Sequence, residues 1–221
     1  MVRILVLCLL LSSGIFAQPS IPGLVYYDDP GLYTLNPQTG ENTTLFSNVL
    51  PSAGFIFSDR NTIFGANLNG MNVYRMDVNS GATTLLSATS LPARTWAVEL
   101  ANNKLYVAVE NGTIYTLSSL TSATTPVLLT SVPGALFADL AILNNTTAIV
   151  PDYNTNTIYN VNLQTGAYRA IATVSNSTAN GIQGICIQDS NTAYTINNGS
   201  AELSIIDLYT SKFKSWPQEP Q

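Results

Sequence analysis

Trp96 is the residue of this sequence whose chemistry points most directly to a ligand. An indole offers a flat, partly apolar surface on which a sugar ring or another flat molecule can stack. Arg94 lies close by in the chain and Gln183 carries an amide, so both can add polar contacts to a molecule held on that surface. These residue types predict a binding site for an extracellular glycan, protein or small molecule.

The carboxylate of Asp139 could instead help to hold a divalent cation such as Ca²⁺. A hard cation requires about six converging oxygens, and both Asp139 and Asp152 have simpler roles open to them. Asp139 can be solvated or can pair with Arg94, and Asp152 can accept hydrogen bonds from the amides of its own turn. We expect no cofactor, with a divalent cation as the alternative.

The composition limits the catalytic chemistry. The sequence has no histidine, which excludes Ser-His-Asp and Cys-His catalysis. It also lacks a glycine-rich phosphate loop and a metal-spaced cluster of His or Cys residues. We expect a non-enzymatic binding protein.

The elements that position these residues are indicated by a nonapeptide that returns five times, at a period of about 40 to 50 residues. The copies are LYTLNPQTG at 32–40, VYRMDVNSG at 73–81, IYTLSSLTS at 114–122, IYNVNLQTG at 158–166 and LSIIDLYTS at 203–211. Apolar residues at the first and fourth places predict a half-buried strand, and the closing Thr-Gly, Ser-Gly or Thr-Ser predicts a turn. A strand-and-turn repeat of this period is typical of a β-propeller blade.

Further strand patterns before and after the nonapeptides complete four strands per unit. We predict an all-β fold, a β-propeller of about five four-stranded blades, as a single domain over residues 18–221. The units span residues 24–50, 51–92, 93–135, 136–180 and 181–217. The first unit begins on the second-strand pattern, so its innermost strand is missing and the first blade is incomplete. Either residues 20–22 replace that strand, or the ring is open, or the gene product is shortened.

Alignment of the units exposes two residues that break the repeat. Trp96 stands where the other blades carry Ala53, Ala138 and Gln183, and Asp139 replaces a Gly or Ala. In a propeller, the loops from outer to inner strands and those from second to third strands open on one face. The predicted ligand-binding residues on that face are Arg94, Trp96, Asp139, Asp152 and Gln183. The second-to-third-strand loops contribute the polar residues Asp28, Asp29, Asn67, Glu110, Asp152 and Asn197.

Two other readings of this face remain open at the level of the sequence. Trp96 can simply fill the central channel of a small propeller. The whole repeat array can also be a scaffold that binds no ligand.

The repeats resemble the broad group of YVTN, NHL and SMP-30 (gluconolactonase-like) propellers. The likeness is clearest over residues 148–166, AIVPDYNTNTIYNVNLQTG. For the SMP-30-like members the resemblance implies a divalent metal held by carboxylate and Asn oxygens. Asp152 matches one such position and Asn180 is a displaced candidate, and the resemblance implies that such a site would use some of Asp152, Asp139, Glu99 and Asn180. The alternative function is therefore a divergent metal-dependent hydrolase.

The start and the charge of the chain indicate where it acts. Arg3, an apolar run at 4–11 and Ala17 follow the order of a secretory signal peptide over residues 1–17, so we expect a secreted, extracellular protein with no membrane span. The formal net charge is −5, which argues against nucleic acid and anionic membranes as partners. Cleavage after Ala17 would leave Cys186 as the only cysteine, and no intramolecular disulfide is then expected.

Sequons of the type Asn-x-Ser/Thr fit an exported glycoprotein and predict surface loops. They are Asn42, Asn111, Asn144, Asn145, Asn176 and Asn198. In a eukaryotic host we expect some of them to carry N-glycans.

Overall fold

Strands and turns make up all of the chain that the computed structural model describes. These residues are 24–28, 31–36, 38–46, 52–59, 62–67, 71–77, 79–173, 181–197 and 203–215. The predicted signal peptide, Asn176, Asn180 and Asn198 lie outside them. Within the described ranges no helix could cross a membrane, and the all-β prediction is confirmed.

The strands form five antiparallel sheets, each built from strands that follow one another in the chain. Blade 1 contains β1(Leu24–Asp28), β2(Gly31–Leu35) and β3(Asn42–Phe46). Blade 2 contains β4(Ser52–Asp59), β5(Thr62–Asn67), β6(Val73–Asp77) and β7(Thr83–Leu85). Blade 3 contains β8(Thr95–Ala101), β9(Lys104–Val109), β10(Thr113–Leu117) and β11(Val127–Ser131). Blade 4 contains β12(Ala141–Asn144), β13(Thr147–Pro151), β14(Thr157–Asn162) and β15(Tyr168–Thr173). Blade 5 contains β16(Ile182–Ile187), β17(Thr192–Asn197), β18(Leu203–Asp207) and β19(Lys212–Ser215).

The nonapeptide supplies the third strand of every four-stranded blade, as predicted. In blade 1 it supplies β2, so the strand missing from the three described there is the innermost one. The innermost strands β4, β8, β12 and β16 lie next to one another in that order. Consecutive blades from 2 to 5 are therefore in contact along their inner edges.

The core lies between the blades, because the middle strands are buried on both faces. Leu105, Val107 and Val109 of β9 pack in a cluster shared with blade 2. The alternate residues Tyr106 and Ala108 pack in a cluster shared with blade 4. A further cluster joins blades 4 and 5. Because successive side chains of a strand point to opposite faces, a middle strand packs against the blades on both sides. Burial of this apolar surface stabilises the stack of blades.

The turn that closes each nonapeptide is held by a side chain at or next to its fifth place. Asp77 Oδ1 accepts hydrogen bonds from the backbone N–H groups of Asn79 and Ser80, both at 2.9 Å. Equivalent pairs of bonds are accepted by Asn36, Asn162 and Asp207. In blade 3 the neighbouring Ser119 takes this part. The predicted turn chemistry is confirmed.

Cys186 is half-buried in β16 and is not a free thiol. The expectation of no disulfide applies to a chain cleaved after Ala17, and it stays a prediction. Cys8, the chain's other cysteine, lies outside the described residues.

Candidate functional site

A β-bulge recurs at the start of the inner strands of blades 2, 3 and 5. In blade 3, Thr95 pairs with Val109 and Ala97 with Ala108, so the register of the ladder skips Trp96. Such a bulge bends the strand locally and redirects one side chain. The bulged residue of blade 3 is therefore Trp96, the residue that breaks the repeat in the sequence.

The same irregularity fixes the equivalent residue of blade 5, and an isolated bridge fixes that of blade 4. Gln183 is skipped between Ile182 and Gly184 in the pairing of β16 with β17. In blade 4, Phe137 bridges to Asp152, and the following Ala138 N–H donates to the carbonyl of Pro151 at 3.3 Å. We call Trp96, Ala138 and Gln183 the bulge positions.

Two further sets of equivalent residues flank the bulge positions. The N–H of Glu110 donates to the carbonyl of Arg94 at 2.8 Å, and that of Tyr153 donates to the carbonyl of Leu136 at 2.8 Å. Arg94 and Leu136 are therefore equivalent, and we call them the lead positions. Glu110 and Tyr153, which begin the turns after the second strands, are the turn positions.

Residues from these three sets of positions line a cavity of about 240 Å³ that is open to solvent, the loop-face cavity. Its lining residues are Trp96, Ala138 and Gln183 from the bulge positions, Glu110 and Tyr153 from the turn positions, and Leu136 from a lead position. Repetition of one backbone geometry in successive blades thus brings residues distant in sequence to a common wall. Of the predicted ligand-binding residues, Trp96 and Gln183 lie in this wall.

Arg94 lies at the edge of the cavity, against Trp96. Its guanidinium carbon is 5.4 Å from the centroid of the indole ring, within the range of a cation–π contact. Arg94 is exposed and Trp96 half-buried. The indole is therefore held in place by a cation, while the guanidinium keeps N–H groups available to solvent or to a ligand.

Asp152 supports the wall of the cavity without being one of its lining residues. It is 1% exposed, and its Oδ1 accepts hydrogen bonds from the N–H of Leu136 at 2.9 Å and of Asn154 at 3.0 Å. Its Oδ2 accepts from the Thr155 hydroxyl at 2.6 Å. The carboxylate thus caps its own turn, which is the simpler of the two roles predicted for it. It also fixes the lead position Leu136.

Asp139 lies deeper, where blades 4 and 5 meet. Its Oδ1 accepts from the N–H of Leu140 and its Oδ2 from the N–H of Ile185 in β16, both at 2.8 Å. These amides, rather than Arg94, are its hydrogen-bond partners. Burial raises the pKa of Asp139 to about 7, against the lowering effect of the two amides.

Glu99 of β8 is the electrostatic neighbour of Asp139. Burial is the first cause that raises the pKa of Glu99, to about 8, and the negative charge of Asp139 is the second. Both side chains are half-buried. Two neighbouring carboxyl groups of this kind favour a state in which at least one carries a proton near neutral pH.

The residues predicted for a metal are only partly brought together. Glu99 and Asp139 are neighbours, Asp152 is engaged in its own turn, and Asn180 lies outside the described residues. Among the residues that the structure describes, no three His, Cys, Asp or Glu side chains are grouped as a metal site would require.

Leu136 and Tyr153 are cavity residues that the sequence alignment did not identify. The alignment matched Glu110 with Asp152, whereas the strand register matches Asp152 with Val109 and Tyr153 with Glu110. Tyr153, the aromatic residue that follows Asp152, could have been recognised as the equivalent of Glu110. It was not recognised because the turns after the second strands of blades 3 and 4 differ in length, which shifts the alignment by one residue.

Solved structures similar to this chain are β-propellers. A streptogramin B lyase structure has a TM-score of 0.64 at 14% identity, covering 91% of this chain and 70% of that one. A catalytically inactive virginiamycin B lyase from Staphylococcus aureus, solved with quinupristin, gives 0.64 at 10% identity, covering 89% and 70%. The WD40 propeller domain of Doa1 gives 0.59 at 9% identity, covering 85% and 61%.

These likenesses establish the fold class and nothing finer. No protein-family model and no curated protein sequence matches the chain. With structural identities this low, fold carries no information on function. The chain is a β-propeller repeat protein, and its resemblance to the YVTN, NHL and SMP-30 group stays a prediction.

Proposed function

We propose that this protein is a non-enzymatic, secreted propeller that binds a glycan through the loop-face cavity. The observation that carries the proposal is the composition of the cavity wall. An indole, a carboxylate, a phenol ring and an amide meet there at Trp96, Glu110, Tyr153 and Gln183. All four stand at positions that repeat from blade to blade, yet each differs in type from its equivalents.

This set of groups suits a sugar ring. The ring's C–H face can stack on the indole of Trp96, while its hydroxyls can donate to the Glu110 carboxylate and exchange hydrogen bonds with the Gln183 amide. The volume of about 240 Å³ lies just below the usual range of small-molecule sites, about 300–1,000 Å³. It suits the terminal one or two residues of a glycan rather than a long chain.

Two observations support binding without catalysis. The chain contains no histidine, which excludes Ser-His-Asp and Cys-His catalysis. Among the residues that the structure describes, the cavity wall also offers a single carboxylate, that of Glu110, whereas glycoside hydrolysis ordinarily uses two. A metal-dependent hydrolase would need more oxygen ligands than the neighbouring Glu99 and Asp139 supply.

Export is part of the proposal. It rests on the order of residues 1–17 and on the exposure of the described sequons. Those sequons are Asn42, Asn111, Asn144 and Asn145, all exposed.

A glycan array tests the proposal. We expect the purified chain to bind a subset of immobilised glycans sharing one terminal sugar, and Trp96→Ala to lose that signal because the stacking surface is gone. Tyr209→Ala is the matched control, since Tyr209 is an aromatic residue 87% exposed in the outer turn of blade 5. Melting temperatures of both variants report whether the fold is kept.

The outcomes separate the proposals. Binding by Tyr209→Ala but not by Trp96→Ala supports the cavity, and equal binding by both variants places the ligand elsewhere. No binding to any glycan contradicts a glycan ligand and favours a scaffold. Binding that disappears on chelation with EDTA and returns with Ca²⁺ would support a metal site instead.

A further inference from the structure

We infer that Asn111 is a glycosylation site that controls access to the loop-face cavity. The biological meaning of this control rests on the proposed function. The steric effect itself does not depend on which ligand the cavity binds.

Asn111 follows directly after a cavity residue. Glu110 lines the cavity, and Asn111 is exposed in the turn between β9 and β10. The sequon Asn111-Gly112-Thr113 is complete, and the Thr113 hydroxyl donates to the amide oxygen of Asn111. The amide nitrogen, to which an N-glycan is joined, takes no part in that bond.

The turn that carries Asn111 is pinned to the wall of the cavity. Gly112 has φ +76°, and a Cβ on it would lie 2.5 Å from the carbonyl oxygen of Val132 and 2.8 Å from that of Ala135. The N–H of Val132 donates to the carbonyl of Gly112 at 2.8 Å. The contacted segment, which includes Val132 and Ala135, comes directly before the lead position Leu136. A glycan on Asn111 would therefore start from a fixed point at the rim.

The other sequons in the described part of the chain lie at the opposite ends of the strands. Asn111 follows β9, the second strand of blade 3, whereas Asn144 and Asn145 precede β13, the second strand of blade 4. Asn102, in the turn before β9, donates to the carbonyl of Asn145, so these two turns are neighbours. Asn42 begins β3, after the turn that closes the nonapeptide of blade 1. Among the described sequons, Asn111 alone is on the cavity side.

Quenching of Trp96 fluorescence tests the inference without a ligand. The full chain with Trp216→Phe, which leaves Trp96 as the single tryptophan, is expressed in a eukaryotic secretory host. Two collisional quenchers are compared, acrylamide and a nitroxide coupled to a short dextran. The variants are Asn111→Gln and, as the matched control, Asn42→Gln, each of which removes one sequon. Mass spectrometry of the secreted protein gives glycan occupancy at each site and the first residue of the released chain.

We expect Asn111 to be occupied and Asn111→Gln to raise the quenching constant severalfold for the dextran quencher and much less for acrylamide. Asn42→Gln should leave both constants unchanged. An unoccupied Asn111 overturns the inference, and so does an occupied Asn111 whose removal leaves dextran quenching unchanged. Because no glycan ligand is added, failure of the array experiment would leave this result standing.

Discussion

Glu99 and Asp139 are electrostatic neighbours in a region where three consecutive blades meet. Glu99 belongs to β8 in blade 3, Asp139 precedes β12 in blade 4, and Asp139 accepts a hydrogen bond from Ile185 in blade 5. Burial raises the pKa of both carboxyl groups, to about 8 and about 7. Because folding thus favours their protonated forms, the stability of the blade stack is coupled to pH.

The stability should fall as pH rises through neutrality. Both folded pKa values lie above those of the free side chains, so the contribution of the pair is complete below about pH 4 and is lost as pH rises towards about 8. We expect the melting temperature to decrease between about pH 5 and 9, where the absence of histidine leaves few other groups to titrate.

Glu99→Gln isolates the pair in the same measurement. It removes one charge at nearly constant shape, so the decrease with pH should become shallower and the variant should melt above the parent chain at the alkaline end. A melting temperature of the parent chain that stays constant or rises over this range would contradict the raised pKa values.

At the scale of elements, the site depends on close contact between the turn of one blade and the start of the next. Gly181 precedes β16, and a Cβ on it would lie 1.6 Å from the carbonyl oxygen of Tyr153, a turn position of the cavity. The side chain of Asn156 in the same turn accepts from the N–H of Ile182 at 3.1 Å. Gly181 is therefore required by the approach of two backbones.

Gly181→Ala should displace the turn that carries Tyr153 and destabilise the protein by about 1–3 kcal/mol, as overpacking does. Gly184→Ala is the matched comparison, because its Cβ would meet the Ile196 methyl at 3.1 Å and the Asp139 carboxylate at 3.8 Å. A side-chain methyl can move more readily than a backbone carbonyl, so the loss should be smaller. Urea unfolding measures both free energies, and an equal or smaller loss in Gly181→Ala would contradict the close approach.

Across the whole molecule, interactions between residues close in sequence could be predicted from the sequence, whereas contacts between blades could not. The nonapeptides predicted the third strands and their turns because a side chain such as Asp77 binds amides only a few residues away. They also located Trp96, because a bulge recurs at the start of the inner strand in blades 2, 3 and 5. The partner of Asp139 is Ile185, in the next blade, and no local pattern specifies such a contact. Tyr153 was missed because turns of different length shift the register by one residue.

A fluorescence titration measures whether a ligand reaches Trp96. In the Trp216→Phe chain, the strongest glycan found on the array is titrated while Trp96 emission is recorded. We expect a saturable change in intensity or wavelength, because the ligand would replace solvent at the half-buried indole. Calorimetric binding of that glycan with Trp96 emission unchanged at saturation would show that the loop-face cavity is not the binding site.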